Sequence, residues 1–149
     1  CLAKSSAGVL AMGALLMNAK FSNLSPGLHA STFGGNPLAF AAGMAALEVI
    51  ETENLAALAA VKGKYLLDKL SAIQSPLIRE VRGLGLMVGI ELKQKVTPYL
   101  RALENAGILA LPAGLTVIRL LPPLVITYAE IDQVVEDIES VLLGDGSPD

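Results

Sequence analysis

Residues 78 to 92 read Ile78-Arg79-Glu80-Val81-Arg82-Gly83-Leu84-Gly85-Leu86-Met87-Val88-Gly89-Ile90-Glu91-Leu92. Here the apolar spacing changes from the helical three-to-four to something closer to two. The β-branched residues predict two strands, Ile78 to Val81 and Leu84 to Leu92, with Gly83 between them as a turn or bulge. Helical patterns lie on both sides of this block, so helices must cover a small sheet. The expected fold class is α/β to α+β, with the α+β unit running from about 53 to 143.

Upstream, Leu55, Leu58, Val61, Leu66, Leu70 and Ile73 form one apolar stripe on a helix from about Asn54 to Ile73. Before it, Asn36 can cap a helix and Pro37 suits its first position, which predicts a helix from Pro37 to about Glu51. That helix is apolar on nearly every face, a composition that calls for burial between domains or subunits. Residues 18 to 36 form a long polar loop, and the small apolar residues from Leu2 lead into an expected strand at Ala14 to Met17. Downstream, Thr97 as cap and Pro98 in the first turn start a short helix through Asn105 that Gly107 stops. Strands at Ile108 to Leu111 and Thr116 to Leu120 should flank Pro112-Ala113-Gly114. Thr127 and Glu130 have capping-box spacing ahead of Ile131, Val134, Val135, Ile138, Val141 and Leu142, and Gly144 to Asp149 has the composition of a frayed end.

With 53% hydrophobic residues in 149, the chain can bury a core. A net charge of -3 leaves no basic surface for a phosphate backbone, so nucleic acid is excluded as a partner. The single cysteine, Cys1, forms no internal disulfide, and no Cys/His spacing marks a zinc site, which fits a cytoplasmic location. Lys4 followed by the apolar run Ala7 to Met17 imitates a signal peptide, but Gly8 and Gly13 interrupt the run and it is too short to span a bilayer. No membrane association is expected. A chain that opens on Cys1 instead of Met is read as a fragment of a longer protein.

Taken alone, Lys4 would be an ordinary solvated lysine. Thr32 offers a hydroxyl and a backbone N–H in a glycine-rich turn before a helix, which suits a phosphate or merely a helix-preceding turn. Arg119 lies in the apolar stretch Thr116 to Leu121, where an unpaired guanidinium is costly, so it should have a partner, either a substrate carboxylate or an internal acid. Arg82 reads as a solvated strand-end arginine. His29, the only histidine, has no triad-like partner and reads as a loop residue.

Four segments in order carry a resemblance: Leu2-Ala3-Lys4 with Gly13-Ala14, Ser31-Thr32-Phe33-Gly34-Gly35-Asn36-Pro37, Arg82-Gly83-Leu84-Gly85-Leu86-Met87, and Val117-Ile118-Arg119 with Pro122-Pro123-Leu124. Together they resemble class III pyridoxal-phosphate aminotransferases of the acetylornithine type, with enzymes acting on carrier-protein-bound lysine precursors a close second. The chain departs from that pattern over Ser5 to Met12, where the family has consecutive glycines and a proline.

The resemblance implies the C-terminal small domain of a fold-type-I transferase, preceded by the end of its large domain. Residues 1–36 would close the cofactor-binding domain, 37–52 would be an interdomain helix, and 53–149 the small domain. It implies pyridoxal 5'-phosphate as cofactor, Lys4 as the catalytic lysine bonded to it, and Thr32 on the cofactor phosphate of a neighbouring subunit in a homodimer. Ser31 would lie near the substrate and Arg119 on its α-carboxylate. The implied reaction moves the terminal amino group of N-acetylornithine, or of an acylated lysine analogue, to 2-oxoglutarate in arginine or lysine biosynthesis. The family's acid for the pyridine nitrogen, its ring-stacking aromatic and its main phosphate loop lie upstream of the lysine, so this chain alone is expected to be inactive. The alternative from another class is a non-catalytic small α+β binding or regulatory domain.

Overall fold

The computed structural model describes residues 10–21, 27 and 31–144. The chain divides into two compact units, Cys1–Asn54 and Leu55–Asp149. In the first, a short 3-10 turn over Ala19–Phe21 follows Asn18, whose side chain accepts from the Lys20 N–H at 3.0 Å. The strand expected at Ala14 to Met17 does not form, and Ala14 makes only an isolated bridge. A strand exists only through a ladder with a neighbour, and the described residues of this unit provide none. Helix α1, Pro37–Thr52, starts where expected: the Asn36 side chain accepts from the Leu38 N–H at 2.9 Å, and Pro37 loses no hydrogen bond at the first position. Within this chain α1 buries only Ala39 and Gly43, leaving Leu38, Phe40, Met44 and Leu47 exposed.

The second unit begins with α2, Leu55–Ala72. Its buried side is Leu55, Gly63, Leu66, Leu70 and Ile73, so Leu58 and Val61, assigned to the stripe from their size, are corrected to exposed positions. Small residues occupy this side because the helix backbone lies directly on the β-hairpin that follows. A Cβ added at Gly63 would collide with the Gly85 carbonyl, and one at Gly85 would lie 3.6 Å from the Ala59 carbonyl oxygen.

That hairpin is β1, Ile78–Leu84, and β2, Met87–Leu92. The chain reverses at Gly85-Leu86 and not at Gly83, which stays inside β1 opposite Val88. Gly85 takes φ +54, a left-handed conformation that glycine adopts without steric cost. A register shift between Ile78 and Glu80 makes Arg79 the extra residue of a bulge. Helix α3, Thr97–Asn105, is positioned by Val96, which is buried, so Thr97 lies inside the helix instead of capping it. Gly107 at φ +86 ends it, and the Ile108 N–H bonds back to the Leu103 carbonyl at 2.8 Å. That bond removes Ile108 from any strand, so the edge strand β3 is Leu111–Ala113, three residues later than expected. Pro112 is tolerated there because one side of an edge strand needs no donor. Strand β4, Val117–Leu120, leads to α4, Tyr128–Leu143. Its predicted capping box is present: Thr127 Oγ1 accepts from the Glu130 N–H at 3.2 Å, and Glu130 Oε2 accepts from the Thr127 N–H at 2.7 Å.

The four strands form one antiparallel sheet in the order β1-β2-β4-β3. Val88, Ile90, Leu92, Ile118 and Leu120 face the helices and join Leu66, Leu70, Leu103, Ile131 and Ile138 in one core. Helix α4 is held to α2 by Asp132, which accepts from Tyr65 Oη and pairs with Lys69 Nζ, both at 2.7 Å. The alternating side chains of the strands point the other way, so the sheet has one dry face and one open face. The fold is therefore the expected mixed one, with helices confined to one side.

Gly63→Ala is expected to destabilise the second unit by about 1–3 kcal/mol, the range for overpacking a site with no room. Lys64→Ala, exposed on the same helix, should stay within about 0.5 kcal/mol of wild type, and thermal unfolding of the two variants compares them directly.

Candidate functional site

In the first unit, the Ser31–Asn36 segment folds into a turn closed by the Gly34 N–H bonding to the Ser31 carbonyl at 3.2 Å. Gly35 is left-handed at φ +77, which lets the chain enter α1 through Asn36. A cleft of about 510 Å³ runs along this turn, and Ser31, Gly34 and Asn36 share its wall with Met12, Gly13 and Phe40. Thus Gly13 and the turn, 18 residues apart in sequence, line one concavity. Thr32 is exposed in the same turn. Lys4 and His29 lie outside the described residues.

In the second unit the open face of the sheet carries the charge. Opposite one another across the strands stand Arg82, Gly89 and Arg119, with Leu111 completing the row on β3. Gly89 contributes no side chain, so the floor between the two arginines is backbone. Arg119 is exposed while its neighbours Ile118 and Leu120 are buried. It forms no ion pair among the described residues, so of the two partners expected for it the internal acid is not found there, and the alternation of the strand turns the guanidinium to solvent. Ser31 and Arg119 belong to different units.

Arg82 is not the free, solvated residue expected. Its Nη1 lies 2.7 Å from Glu91 Oε2 and 2.9 Å from Glu80 Oε2, and Arg79 Nη1 lies 3.0 Å from Glu91 Oε1. The Arg79 bulge makes this possible, since the extra residue leaves both Arg79 and Glu80 on the open side. Glu80 stands directly opposite Glu91, a like-charge juxtaposition that the arginines offset. The hydrogen bond from Arg82, helped by the charges of Arg82 and Arg79, holds the Glu91 carboxyl below the ordinary glutamate range, and Glu91 in turn raises the Arg82 pKa. This network was hidden in the sequence because a turn at Gly83 takes Arg82 off the strand and away from Glu91. A turn at Gly85 brings the Glu80-x-Arg82 and Gly89-x-Glu91 spacings into register.

Elsewhere in the second unit, a hollow of about 280 Å³ beside Ile108, Leu120, Pro123 and Val134 has no charged or titratable side chain in its lining, so it offers no chemistry. Among the described residues no group of three His, Cys, Asp or Glu side chains could hold a metal ion, and no helix is long and apolar enough to cross a membrane.

The family model for class-III aminotransferases matches residues 1–142. A LysW-aminoadipate semialdehyde transaminase of Deinococcus radiodurans is 52% identical over 143 residues, covering 95% of this chain and 33% of that protein. An ornithine aminotransferase of Exiguobacterium sp. is 54% identical over 121 residues, 81% of this chain and 30% of that protein. Among solved structures, the acetylornithine aminotransferase of Elizabethkingia anophelis superimposes with a TM-score of 0.74 at 39% identity, over 80% of this chain and 33% of that one. The chain thus spans about a third of the length of these relatives.

Glu91 supplies a test by titration. Its folded pKa is depressed, so its contribution to stability is complete above the unfolded value of about 4.3 and is lost as pH falls through the folded value. Melting curves of wild type and Glu91→Gln should therefore differ at pH 7, with wild type the more stable, and converge as the solution is acidified through the depressed folded value.

Proposed function

The chain belongs to the class-III aminotransferase family, and from that premise we propose that it forms the C-terminal third of an ω-aminotransferase. The enzyme transfers the terminal amino group of N-acetylornithine, or of an acylated lysine analogue, to 2-oxoglutarate, as part of arginine or lysine biosynthesis in the cytoplasm. In this reading residues 1–36 end the large domain, 37–52 link it to the small one, and 53–149 are the small domain. The relatives named above all concern ornithine-like or lysine-like compounds, which supports the substrate class. The observation that carries the reading is Arg119, an exposed guanidinium on an open sheet face with no acid of its own among the described residues.

Class-III aminotransferases use pyridoxal phosphate. The residues present fit the phosphate end of that group: the Ser31–Asn36 turn offers the Thr32 hydroxyl and a glycine-rich backbone beside a cleft. They do not fit its ring, because the described carboxylates of the first unit, Glu48, Glu51 and Glu53, lie at the far end of α1 from that turn. When bound, the cofactor supplies an aldehyde that takes up the amino group and an electron sink for the carbon that loses a proton.

The residues of this chain do the rest. Lys4 Nζ would hold the cofactor covalently and, in its neutral form, would serve as the group that accepts and returns a proton. Thr32 Oγ1 would hold the phosphate of a neighbouring subunit's cofactor in a homodimer, and the exposed apolar side chains of α1 offer material for such an interface. Ser31 borders the substrate, and the Arg119 fork grips a carboxylate with two donors. Because the ring-binding residues are not among these, the 149-residue chain alone should neither turn over acetylornithine nor hold the cofactor well.

Borohydride treatment of the cofactor-loaded full-length protein should fix the cofactor on Lys4 alone, and Lys4→Ala should abolish both the adduct and transamination. An adduct on another lysine with activity retained in Lys4→Ala would overturn the assignment, and turnover by the 149-residue chain would refute its dependence on the rest of the protein.

A further inference from the structure

We propose that Arg82 and Arg79 are positioning residues that occupy Glu91 so that Arg119 stays open to a substrate carboxylate; this rests on the reading of Arg119 given above. Strand register sets the distances between these groups. Arg82 on β1 and Arg119 on β4 both stand directly opposite Gly89 on β2, and Glu91 lies two residues further along β2 on the same face. Glu91 is therefore a diagonal neighbour of both arginines, and diagonal neighbours lie within reach of long side chains. A carboxylate placed symmetrically between two guanidinium groups has a choice, and pairing with Arg119 would block the very fork that should receive substrate.

The structure resolves the choice against Arg119 by filling both carboxylate oxygens from the β1 side. Glu91 Oε2 accepts from Arg82 at 2.7 Å and Oε1 from Arg79 at 3.0 Å. A single arginine would leave one oxygen facing β4, and the bulge supplies the second. Glu80 then takes up the remaining charge of the pair by accepting from Arg82 at 2.9 Å, so Arg79, Arg82, Glu80 and Glu91 form a closed, neutral set. Arg119 is left as an uncompensated cation beside it. The side chain of Glu91 is the least exposed of the four, at 18% against 47% for Arg82, so solvent competes least for its bonds. Gly89 matters as well, since any side chain there would stand between the two arginine stems.

The test is steady-state kinetics of the cofactor-loaded full-length enzyme with 2-oxoglutarate varied at saturating amino donor. Arg82→Met frees one oxygen of Glu91 to capture Arg119, and KM for the 2-oxo acid should rise about tenfold, the scale of one hydrogen bond to a charged group, with a smaller change in kcat. Adding Glu91→Gln in that background removes the competitor and should return KM to within about twofold of wild type, a coupling that independent sites do not show. A purely structural role for Arg82 would not be rescued in this way. An unchanged KM in Arg82→Met, or a double variant as impaired as the single one, would overturn the proposal. Should Arg82→Met fail to fold, Arg79→Met with the same Glu91→Gln rescue carries the test to the same two outcomes. Arg119→Gln separates the two layers: if it leaves KM unchanged, the substrate role of Arg119 itself is wrong, whereas a raised KM there with no effect at Arg82 rejects only the positioning role.

Discussion

The backbone-to-backbone contact between α2 and the β1–β2 turn constrains the rest of the second unit. Gly63 is buried against the Gly85 carbonyl, with no space for even a methyl group between helix and turn. The contact accounts for small residues at 59 and 63 of α2 where larger ones would otherwise add to the core. It also secures the reversal at Gly85-Leu86, and the reversal sets the register of every pair above it. Since side chains alternate across a strand, a one-residue slip would send Val88 and Ile90 to solvent and bring Glu91 into the core. The dry face and the charged face are two consequences of one turn.

On the charged face, stability and availability pull in opposite directions. An exposed carboxylate near several guanidinium groups satisfies as many as it can, which rigidifies the sheet and removes donors from use. The bulge at Arg79 concentrates the satisfied charges at the β1 edge. Arg119, two strands away, remains unpaired among the described residues on a backbone floor provided by Gly89. Exposed ion pairs contribute little to folding, so the position of this network is more informative than its strength. It fits the role proposed for Arg119, that of receiving a carboxylate.

Helix starts were legible in the sequence because their chemistry is local. Asn36 before Pro37 and Thr127 three residues before Glu130 each satisfy nearby N–H groups, and both caps form. The mixed fold class and the existence of the second unit's four strands were legible for the same reason, whereas the strand expected at Ala14 to Met17 does not form. What remained hidden was decided by distant partners. Gly83 and Gly85 are equally able to turn, and only the contact with α2 selects between them. Leu58 and Val61 have the size for a core, but the helix presents Ala59 and Gly63 to the hairpin instead. At the site, the glycine-rich turn ahead of α1 could be seen from composition, whereas the solvent exposure of Arg119 and the pairing of Arg82 depend on register. The family resemblance singled out Arg119 without showing its exposure.

The most direct measurement is a crystal structure of the cofactor-loaded full-length enzyme, free and with a bound dicarboxylate, at a resolution that places the guanidinium and carboxylate groups. In both states Glu91 should remain within hydrogen-bonding distance of Arg82 and Arg79, with Arg119 open in the first and bidentate on the ligand in the second. Glu91 bonded to Arg119 in the free enzyme, or a dicarboxylate bound without Arg119, would contradict this account.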